Sequence, residues 1–446
     1  MAISRQETAG SAPAPTQKGS GWLQGHRLYV YAGALLFIEY FLFGMWWWGH
    51  HALGNASIPS PGWDLAVFWS ASRVALEHGP AAAYDWALLR AAEAAVLPPG
   101  VFGPFPYPPT FLLPIYPLGL LSFGGAFAVV SVAGALLYLA TVRSILKPPG
   151  VAWTLPAAAF PGVWVALLAG QNSLFTMAAA GAALVLLKRS PMTAGACIAL
   201  LCVKPQLGVL FPLYLVCSRQ WRALVSAACF SLLYLLLGWL AFGTQAFVAA
   251  GQSLALFRHA VAENGGVVLY GAPTVFGLLR TAGCSTTVSY LAHGAVAMLV
   301  VAGCVWLWRS NCRHELHAAS LVIATLVVQP YLMYYDLAWL ALPVALLIVD
   351  YMRHGSHRVE KLVLLAAWFV PAQGLLAVLL HRTGQWAPVV LMALLAIVVR
   401  RVLAARRRPR DLPRDLPRLA PRYSPLPEWA HTRSTQHSRH LHDRQP

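Results

Sequence analysis

The sequence predicts an all-α polytopic membrane protein, and its apolar composition, its low charge and its recurring long apolar stretches indicate this class. Hydrophobic residues make up 58% of the 446 residues and charged residues 11%, with a mean hydropathy of +0.60. A soluble domain carries about 25% charged residues. Stretches of about 18 or more apolar residues suit helices that cross a bilayer, because a helix satisfies its own backbone polar groups in lipid. The alternating strands that a membrane barrel needs are absent from the pattern.

A window of about 20 residues divides the chain into about twelve expected spans. The second span is too long for one straight helix and contains Pro114 and Pro117, so a broken or re-entrant start is expected. Lys204-Pro205 interrupts the region 192–218, which predicts either two spans or a re-entrant hairpin there. The expected spans are 28–49, 109–142, 151–169, 172–187, 192–203, 205–218, 223–243, 286–308, 316–334, 337–350, 361–380 and 385–400.

The segments that flank the spans are polar or basic. Residues 1–27 are expected to be a disordered cytoplasmic leader, and the first span lacks a cleavage site and is expected to remain as an anchor. Residues 28–400 are the predicted transmembrane domain, and 401–446 form a basic cytoplasmic tail rich in Pro and Arg. The net charge of +17 lies in this tail and in short clusters between spans. This distribution indicates contact with membrane lipids and excludes a nucleic-acid partner.

The positions of Lys and Arg predict which way the spans run. All but six of the 32 basic residues fall on one side when the spans alternate, which predicts cytoplasmic N- and C-termini in a cell's inner membrane. Two long external segments result, roughly 50–108 and 244–284. The six basic residues left for the external face are Arg73, Arg90, Lys204, Arg258, Arg280 and Arg382.

The first external segment is expected to contain two amphipathic helices, at 64–78 and 84–97. Phe68, Trp69 and Leu76 recur at near-helical spacing, so their apolar face is expected to lie on the membrane surface. Asp64 stands where the N-cap of the first helix is expected, and Asp is a preferred cap.

Polar residues beside apolar spans fall on the external face in this topology. Their convergence predicts one external site formed by Asp64, Arg73, Tyr107, Thr110, Gln171, Asn172, Ser173, Lys204, Gln206, Tyr335 and Asp336. Each has a structural alternative: Gln171–Ser173 suits a helix cap, Tyr335-Asp336 suits an interfacial anchor with a cap, and Lys204 could extend to the interface. Glu39, midway along the first span, is either functional or hydrogen-bonded to a neighbouring helix.

Four stretches occur in an order that resembles glycosyltransferase family 87, membrane mannosyltransferases with the GT-C fold. They are DLAVFWSASRVALEHGPAAAYD, FPYPPTFLLPIYPL, the segment from GQNSLFTM to CVKPQLGVLFPLYLV, and YYDLAWLALP. The resemblance covers roughly 28–400. It implies that a hexose is transferred with inversion from a polyprenyl-phosphate donor to a lipid or glycan acceptor outside the membrane. The resemblance makes mannose the expected hexose.

The resemblance also implies roles for individual residues. An essential acid in the first external loop matches Asp64, which would be the general base, with a pKa raised by its apolar surroundings. The family's KPQ pattern matches Lys204, assigned to the donor phosphate. Arg258 or Arg280 could assist. No Asp-x-Asp pair lies near Asp64, so no metal and no cofactor are expected. The remaining expected substrate contacts are Arg73, Tyr107, Gln171, Asn172, Gln206, Tyr335 and Asp336.

Two other functions fit a polytopic chain. A lipid or sugar transporter or flippase would use broken helices near the midplane, with charges in several spans and related sequence halves. Here Glu39 is the main acid within a span, and no related halves are evident. A non-catalytic scaffold would show no polar cluster on one face.

Overall fold

The computed structural model describes residues 26–53, 61–263, 269–380 and 384–407, and it is all-helical over these residues. Helices account for 81% of the structure, and the described residues contain no strand. The all-α prediction is confirmed. The predicted leader, the tail from residue 408 onward and Arg382 lie outside the described residues.

The α-helices of the described residues follow one another in the order given next. They are α1 (His26–His51), α2 (Trp63–His78), α3 (Trp86–Glu93), α4 (Pro109–Ile115), α5 (Phe123–Leu146), α6 (Thr154–Ala158), α7 (Pro161–Ala169), α8 (Ser173–Leu186), α9 (Pro191–Ala199), α10 (Leu210–Cys217), α11 (Trp221–Phe257), α12 (Val275–Thr281), α13 (Thr286–Trp308), α14 (His314–Val327), α15 (Ala341–His354), α16 (Arg358–Leu380) and α17 (Ala387–Arg407).

Seven helices in the described part of the chain are long and apolar enough to cross a membrane, which supports a polytopic membrane protein. The expectation of about twelve full spans is not confirmed, because the other apolar helices of the described residues have at most 17 residues. At about 1.5 Å per residue, such a helix is shorter than the roughly 30 Å hydrocarbon layer. The seven are Leu28–His50, Phe123–Leu146, Trp221–Ala260, Thr286–Trp308, Tyr334–His354, Arg358–Leu380 and Ala387–Arg406.

The chain is broken in two places at the prolines that the sequence singles out. In the expected span 109–142, α4 ends at Ile115 and a 3₁₀ turn at Tyr116–Leu120 precedes α5. In the region 192–218, α9 is followed by two 3₁₀ turns, Leu200–Val203 and Pro205–Gly208, before α10 begins. Lys204 stands between these turns in a non-helical conformation. The broken start and the interruption at Lys204-Pro205 therefore agree with the sequence prediction.

The apolar face of α2 packs inside the protein, so its predicted place on the membrane surface is wrong. Phe68 and Trp69 are 3% and 8% exposed. The Phe68 ring makes edge contacts with Tyr107 and Phe111, with centroids 5.1 and 4.9 Å apart. The Trp69 Nε1 donates a hydrogen bond to the Leu121 carbonyl at 2.9 Å. An amphipathic helix buries its apolar face against whatever covers it, and here α4 and its flanking turns do so.

The helix α11 runs farther than the sequence predicts. The expected span ends at 243, and the chain bends there, at Gly243, with φ 72° and ψ 171°. It then continues as helix to Phe257, so the segment 244–284 begins as helix. Beyond the bend, Ser253 Oγ accepts a hydrogen bond of 3.2 Å from Trp86 Nε1, which ties α11 to the segment before α4.

A buried charge network joins the last three helices. Arg401 of α17 donates to Asp350 Oδ2 at 2.6 Å, to both Glu360 oxygens at 2.9 Å, and to the Gly355 carbonyl at 2.9 Å. Asp350 and Glu360 are 1% and 0% exposed. One guanidinium therefore connects α15, the turn after it, α16 and α17, and its planar fork can serve several oxygens at once.

We expect Arg401→Gln to reduce the free energy of unfolding by up to about 3–5 kcal/mol, because it takes from two buried carboxylates their most buried partner and leaves Asp350 with the more exposed Arg313 and Glu360 with the more exposed Arg400. The measurement is thermal unfolding in detergent, followed by tryptophan fluorescence. Arg400→Gln is the matched control, since Arg400 also pairs with Glu360, at 2.6 Å, but its side chain is 52% exposed. The control should cost about 1 kcal/mol or less. Equal losses in the two variants would contradict the role of Arg401.

Candidate functional site

A tight turn between α7 and α8 brings the start of α2 against the start of α8. Gly170 ends α7 with φ +71°, a left-handed conformation that glycine adopts without strain. A Cβ atom at Gly170 would lie 2.6 Å from the Leu65 Cβ, so a larger residue does not fit. The Gly62 N–H donates to the Leu168 carbonyl at 2.7 Å. The first turn of α2 is therefore fixed directly beside Gln171.

Asp64 lies in the first turn of α2 and does not cap it, which corrects the N-cap expectation. The helix begins one residue earlier, at Trp63, and its N-cap is Gly62, which has no side chain to offer. The side chains of Gln171 and Trp63 lie close enough to the Asp64 carboxylate to lower its pKa by hydrogen bonding. Its Oδ2 is buried and has no hydrogen-bond partner among the described residues. One oxygen of this acid is thus left for a ligand.

Burial raises the pKa of Asp64 from its usual 3.8 to about 7. The Gln171 hydrogen bond and the charge of Lys204 oppose this rise, while the charge of Asp336 adds to it. The direction agrees with the expectation from the sequence. A carboxyl with this pKa exchanges its proton near neutral pH, which is the property of an effective general base.

Gln171 is oriented by two groups on its carbonyl side. Its Oε1 accepts from the Tyr107 hydroxyl at 3.4 Å and from the Asn172 backbone N–H at 3.1 Å. The amide nitrogen of Gln171 is then the atom that can donate to Asp64. Burial raises the pKa of Tyr107, so its hydroxyl stays protonated and keeps donating. Tyr107 therefore acts on Asp64 through Gln171.

Lys204 and Asp336 form a buried ion pair across 132 positions of sequence. Lys204 Nζ lies 2.6 Å from Asp336 Oδ1 and 2.8 Å from Oδ2. Ser173 Oγ donates to Oδ1 at 2.8 Å, and the Met333 N–H approaches Oδ2 at 3.5 Å. Asp336 is 1% exposed and Lys204 6%. Asp336 therefore has partners on both oxygens, unlike Asp64.

The ion pair keeps Lys204 charged. Burial by itself would lower the pKa of Lys204, but the neighbouring Asp336 carboxylate outweighs it and holds the pKa above its usual value. The ammonium also lies 5.3 Å from the centre of the Tyr335 ring, within the range of a cation–π contact. Two of the three ammonium N–H groups suffice for Asp336, which leaves one for another acceptor.

The structure thus brings together most of the residues that the sequence predicts for the site. The cluster consists of Asp64, Tyr107, Gln171, Asn172, Lys204, Tyr335 and Asp336. An acid with a free oxygen, a fixed ammonium group and oriented amide and hydroxyl groups can move a proton at one point and stabilise negative charge at another.

Two predicted substrate contacts lie apart from this cluster. Arg73 is about two and a half helical turns from Asp64 and pairs with Glu77 at 2.6 Å, with a side chain 43% exposed. The Gln206 side chain is exposed, and its carbonyl accepts from Gln329 at 2.7 Å. Both remain predictions from the sequence.

The structure also gives the surroundings of Arg258, Arg280 and Glu39, which the sequence suggests as assisting or functional residues. Arg280 donates to the carbonyls of Cys284 and Glu263, at 2.7 and 3.1 Å, and Arg258 lies 3.8 Å from the Glu263 carboxylate. Both carboxylate oxygens of Glu39 are buried without a hydrogen-bond partner among the described residues. The hydrogen bond to a neighbouring helix that the sequence allowed for Glu39 is therefore not made within that part of the chain.

Three positions contribute more than the sequence indicates. Ser173 donates to Asp336, whereas the sequence names it as a site residue or a helix cap without indicating this partner. Trp63 helps to lower the pKa of Asp64, although in the sequence its indole looks like another apolar flank. Thr110 Oγ1 donates to the Cys202 carbonyl at 2.9 Å and so ties the YPPT stretch to the turn before Lys204. The signal for Thr110 in the sequence is its position as a polar residue directly after two prolines.

The sequence model of glycosyltransferase family 87 matches residues 105–330, just over half of the chain. No curated protein and no solved structure matches the chain. The matched stretch contains Tyr107, Gln171 and Lys204, while Asp64 and Asp336 lie outside it and reach it through the fold.

We expect Lys204→Met and Asp336→Leu each to reduce the free energy of unfolding by about 3–5 kcal/mol, because each leaves one buried charge without its partner. The double variant should recover much of that loss, since it removes both charges. The measurement is a double-mutant cycle of thermal unfolding. Arg73→Gln, which breaks an exposed ion pair, should cost about 0.5 kcal/mol or less. A double variant that loses the sum of both single losses would refute the coupling.

Proposed function

Because this chain belongs to glycosyltransferase family 87, we propose that it transfers a hexose, mannose in the first instance, from a polyprenyl-phosphate donor to a lipid or glycan acceptor. Membership of the family and the seven apolar helices make it a membrane glycosyltransferase. The donor, the sugar, inversion at the anomeric carbon and a GT-C arrangement of the helices belong to the proposal.

The observation that carries the proposal is the state of Asp64. Its Oδ2 is buried without a hydrogen-bond partner in the described part of the chain. Its pKa is about 7, and the charge of Lys204 stabilises its ionised form. In the proposed step this carboxylate removes the proton from the acceptor hydroxyl while the hydroxyl oxygen attacks the anomeric carbon. The bond between that carbon and the phosphate oxygen breaks on the opposite face. Polyprenyl phosphate leaves with the electron pair, and the new glycosidic bond is inverted.

Lys204 is proposed to stabilise the departing phosphate with the N–H group that Asp336 does not use. A fixed cation at the place where negative charge develops lowers the barrier, particularly where water is excluded. Asp336 and Ser173 would hold the ammonium in place, and Tyr107 and Gln171 would orient Asp64. Tyr335, Arg73 and Gln206 are proposed as further substrate contacts. A lipid monophosphate donor does not require a metal, so the proposed reaction uses none.

We place the site at the external face of the inner membrane, with cytoplasmic termini. The span Tyr334–His354 supports this placement, because Asp336 of the site lies near its start and Asp350 of the Arg401 network near its end. The two are 14 residues apart, about 20 Å along a helix. Arg313 pairs with Asp350, and Arg353, three residues after Asp350, pairs with Glu315. By the positive-inside rule, these basic residues put this end of the span on the cytoplasmic side.

One observation favours a second candidate, a lipid or sugar transporter. The half-helices α9 and α10 meet at Lys204, and discontinuous helices around a charge are what transporters use for binding. A transporter would move the donor lipid across the membrane without forming a glycosidic bond. Product analysis therefore separates the two functions.

We expect membranes that contain the wild-type protein to transfer label from polyprenyl-phosphate mannose to an acceptor, in the presence of EDTA, and Asp64→Asn to reduce the rate at least about a hundredfold. Glu93→Gln is the matched control, because Glu93 is a buried acid of the same external segment that lies outside the cluster. Its rate should stay near wild type. Undiminished transfer by Asp64→Asn would refute the base, and movement of intact donor without any product would favour a transporter.

We expect kcat/KM to rise with pH through about pH 7 and to level off above it. The base must be ionised to accept a proton, and the pKa of Asp64 is about 7, so the active form is lost as the pH falls below that value. The measurement is the initial rate between pH 5 and 9. Burial also raises the pKa of Glu93 to about 7, so Glu93→Gln must keep the same profile if Asp64 is responsible. A profile that follows Glu93 would contradict the assignment.

A further inference from the structure

The side-chain amide of Asn172 is buried and unused. Asn172 is 6% exposed, and neither its Oδ1 nor its Nδ2 has a hydrogen-bond partner among the described residues. It occupies the N-cap position of α8, where an Asn side chain ordinarily accepts from the helix, yet it makes no such bond. Structural capping therefore does not account for this amide.

The neighbours of Asn172 both belong to the site. Gln171 accepts from Tyr107 and lowers the pKa of Asp64, and Ser173 donates to Asp336. In the chain, Asn172 lies between a residue that acts on the acid and a residue that holds the ion pair, and its own backbone N–H donates to Gln171. The side chains of Gln171 and Ser173 have protein partners, whereas that of Asn172 has none among the described residues.

An unsatisfied buried amide destabilises the free protein, so a group that supplies its hydrogen bonds gains that free energy on binding. The amide presents one acceptor atom, Oδ1, and one donor atom, Nδ2, which carries two N–H groups. A phosphate could accept from Nδ2 but could give nothing to Oδ1, and would repel it. A sugar hydroxyl both donates and accepts, and a pair of adjacent hydroxyls can satisfy both amide atoms together.

We infer that Asn172 hydrogen-bonds to hydroxyl groups of a substrate sugar and so contributes to the choice of sugar. The inference rests on the proposed function, because it needs a sugar beside Asp64 and Lys204. It assigns the two ends of the substrate to different residues: the phosphate to Lys204, and ring hydroxyls to Asn172. The hydroxyls belong either to the donor sugar or to an acceptor sugar, and the test distinguishes these sources.

The first arm of the test measures thermal unfolding without substrate. Asn172→Leu, which keeps the branched heavy-atom skeleton and has no polar atoms, should unfold at the wild-type temperature or above, because it removes an unsatisfied amide. Ser173→Ala is the matched control and should unfold at a lower temperature, since it removes a partner of Asp336. Asn172→Ala serves as a second variant in case leucine does not pack. A loss of stability in both Asn172 variants as large as in Ser173→Ala would show a structural role and overturn the inference.

The second arm compares transfer from polyprenyl-phosphate mannose with transfer from its monodeoxy analogues. In the wild type, the analogue that lacks the recognised hydroxyl should lose about ten- to a hundredfold in kcat/KM. In Asn172→Leu and Asn172→Ala the natural donor should lose the same factor, and the analogue should lose nothing further. That pattern assigns the hydroxyl to the donor.

The corresponding pattern with deoxy acceptors, and an unchanged KM for the donor, assigns the hydroxyl to the acceptor. Equal penalties in wild type and variants, for every donor and acceptor analogue, would overturn the inference. Absence of any transfer by the wild type would instead refute the proposed function, so the two failures can be told apart.

Discussion

The buried ion pair between Lys204 and Asp336 is the interaction on which the rest of the site depends. It joins the break between α9 and α10 to the 3₁₀ turn Tyr334–Leu340, which leads into α15. Neither region has a hydrophobic repeat that would align it with the other. A charge at such a break is tolerated only with a partner. Ser173 donates a second hydrogen bond to Asp336, and the two charges of the ion pair act in opposite directions on the pKa of the buried Asp64.

The two carboxylates of the site illustrate how environment divides roles between identical groups. Asp336 has partners on both oxygens, whereas Asp64 keeps one buried oxygen free. Because the native pKa of Asp64 lies above its usual value, the native state gives up stability as pH rises from about 4 to about 7. In return for this loss of folding stability, the native protein contains an acid, Asp64, that exchanges its proton near neutral pH. The large core around α8 and α14–α15 offsets such local costs.

Composition and the positions of charge were enough to predict an all-helical membrane chain and most of the polar cluster, because an isolated Lys or Asp beside apolar stretches is conspicuous. Partners were beyond reach: nothing in hydropathy says that Lys204 meets Asp336 while Arg73 meets Glu77. The count of twelve spans is not confirmed, because a short helix broken by proline is as apolar as a full span and hydropathy does not distinguish the two. The amphipathic pattern of Phe68 and Trp69 was correct, but such a pattern does not state whether lipid or protein covers the face.

The contact between Gly170 and the start of α2 has a consequence for building hybrids of related enzymes. Residues 61–104, which carry Asp64, precede the stretch that matches the family, and the turn at 168–171 lies within it. The two meet with no room for a single methyl group. An exchange of the first loop between relatives would therefore succeed only when the turn travels with it, so that the acid arrives together with the surface that receives it.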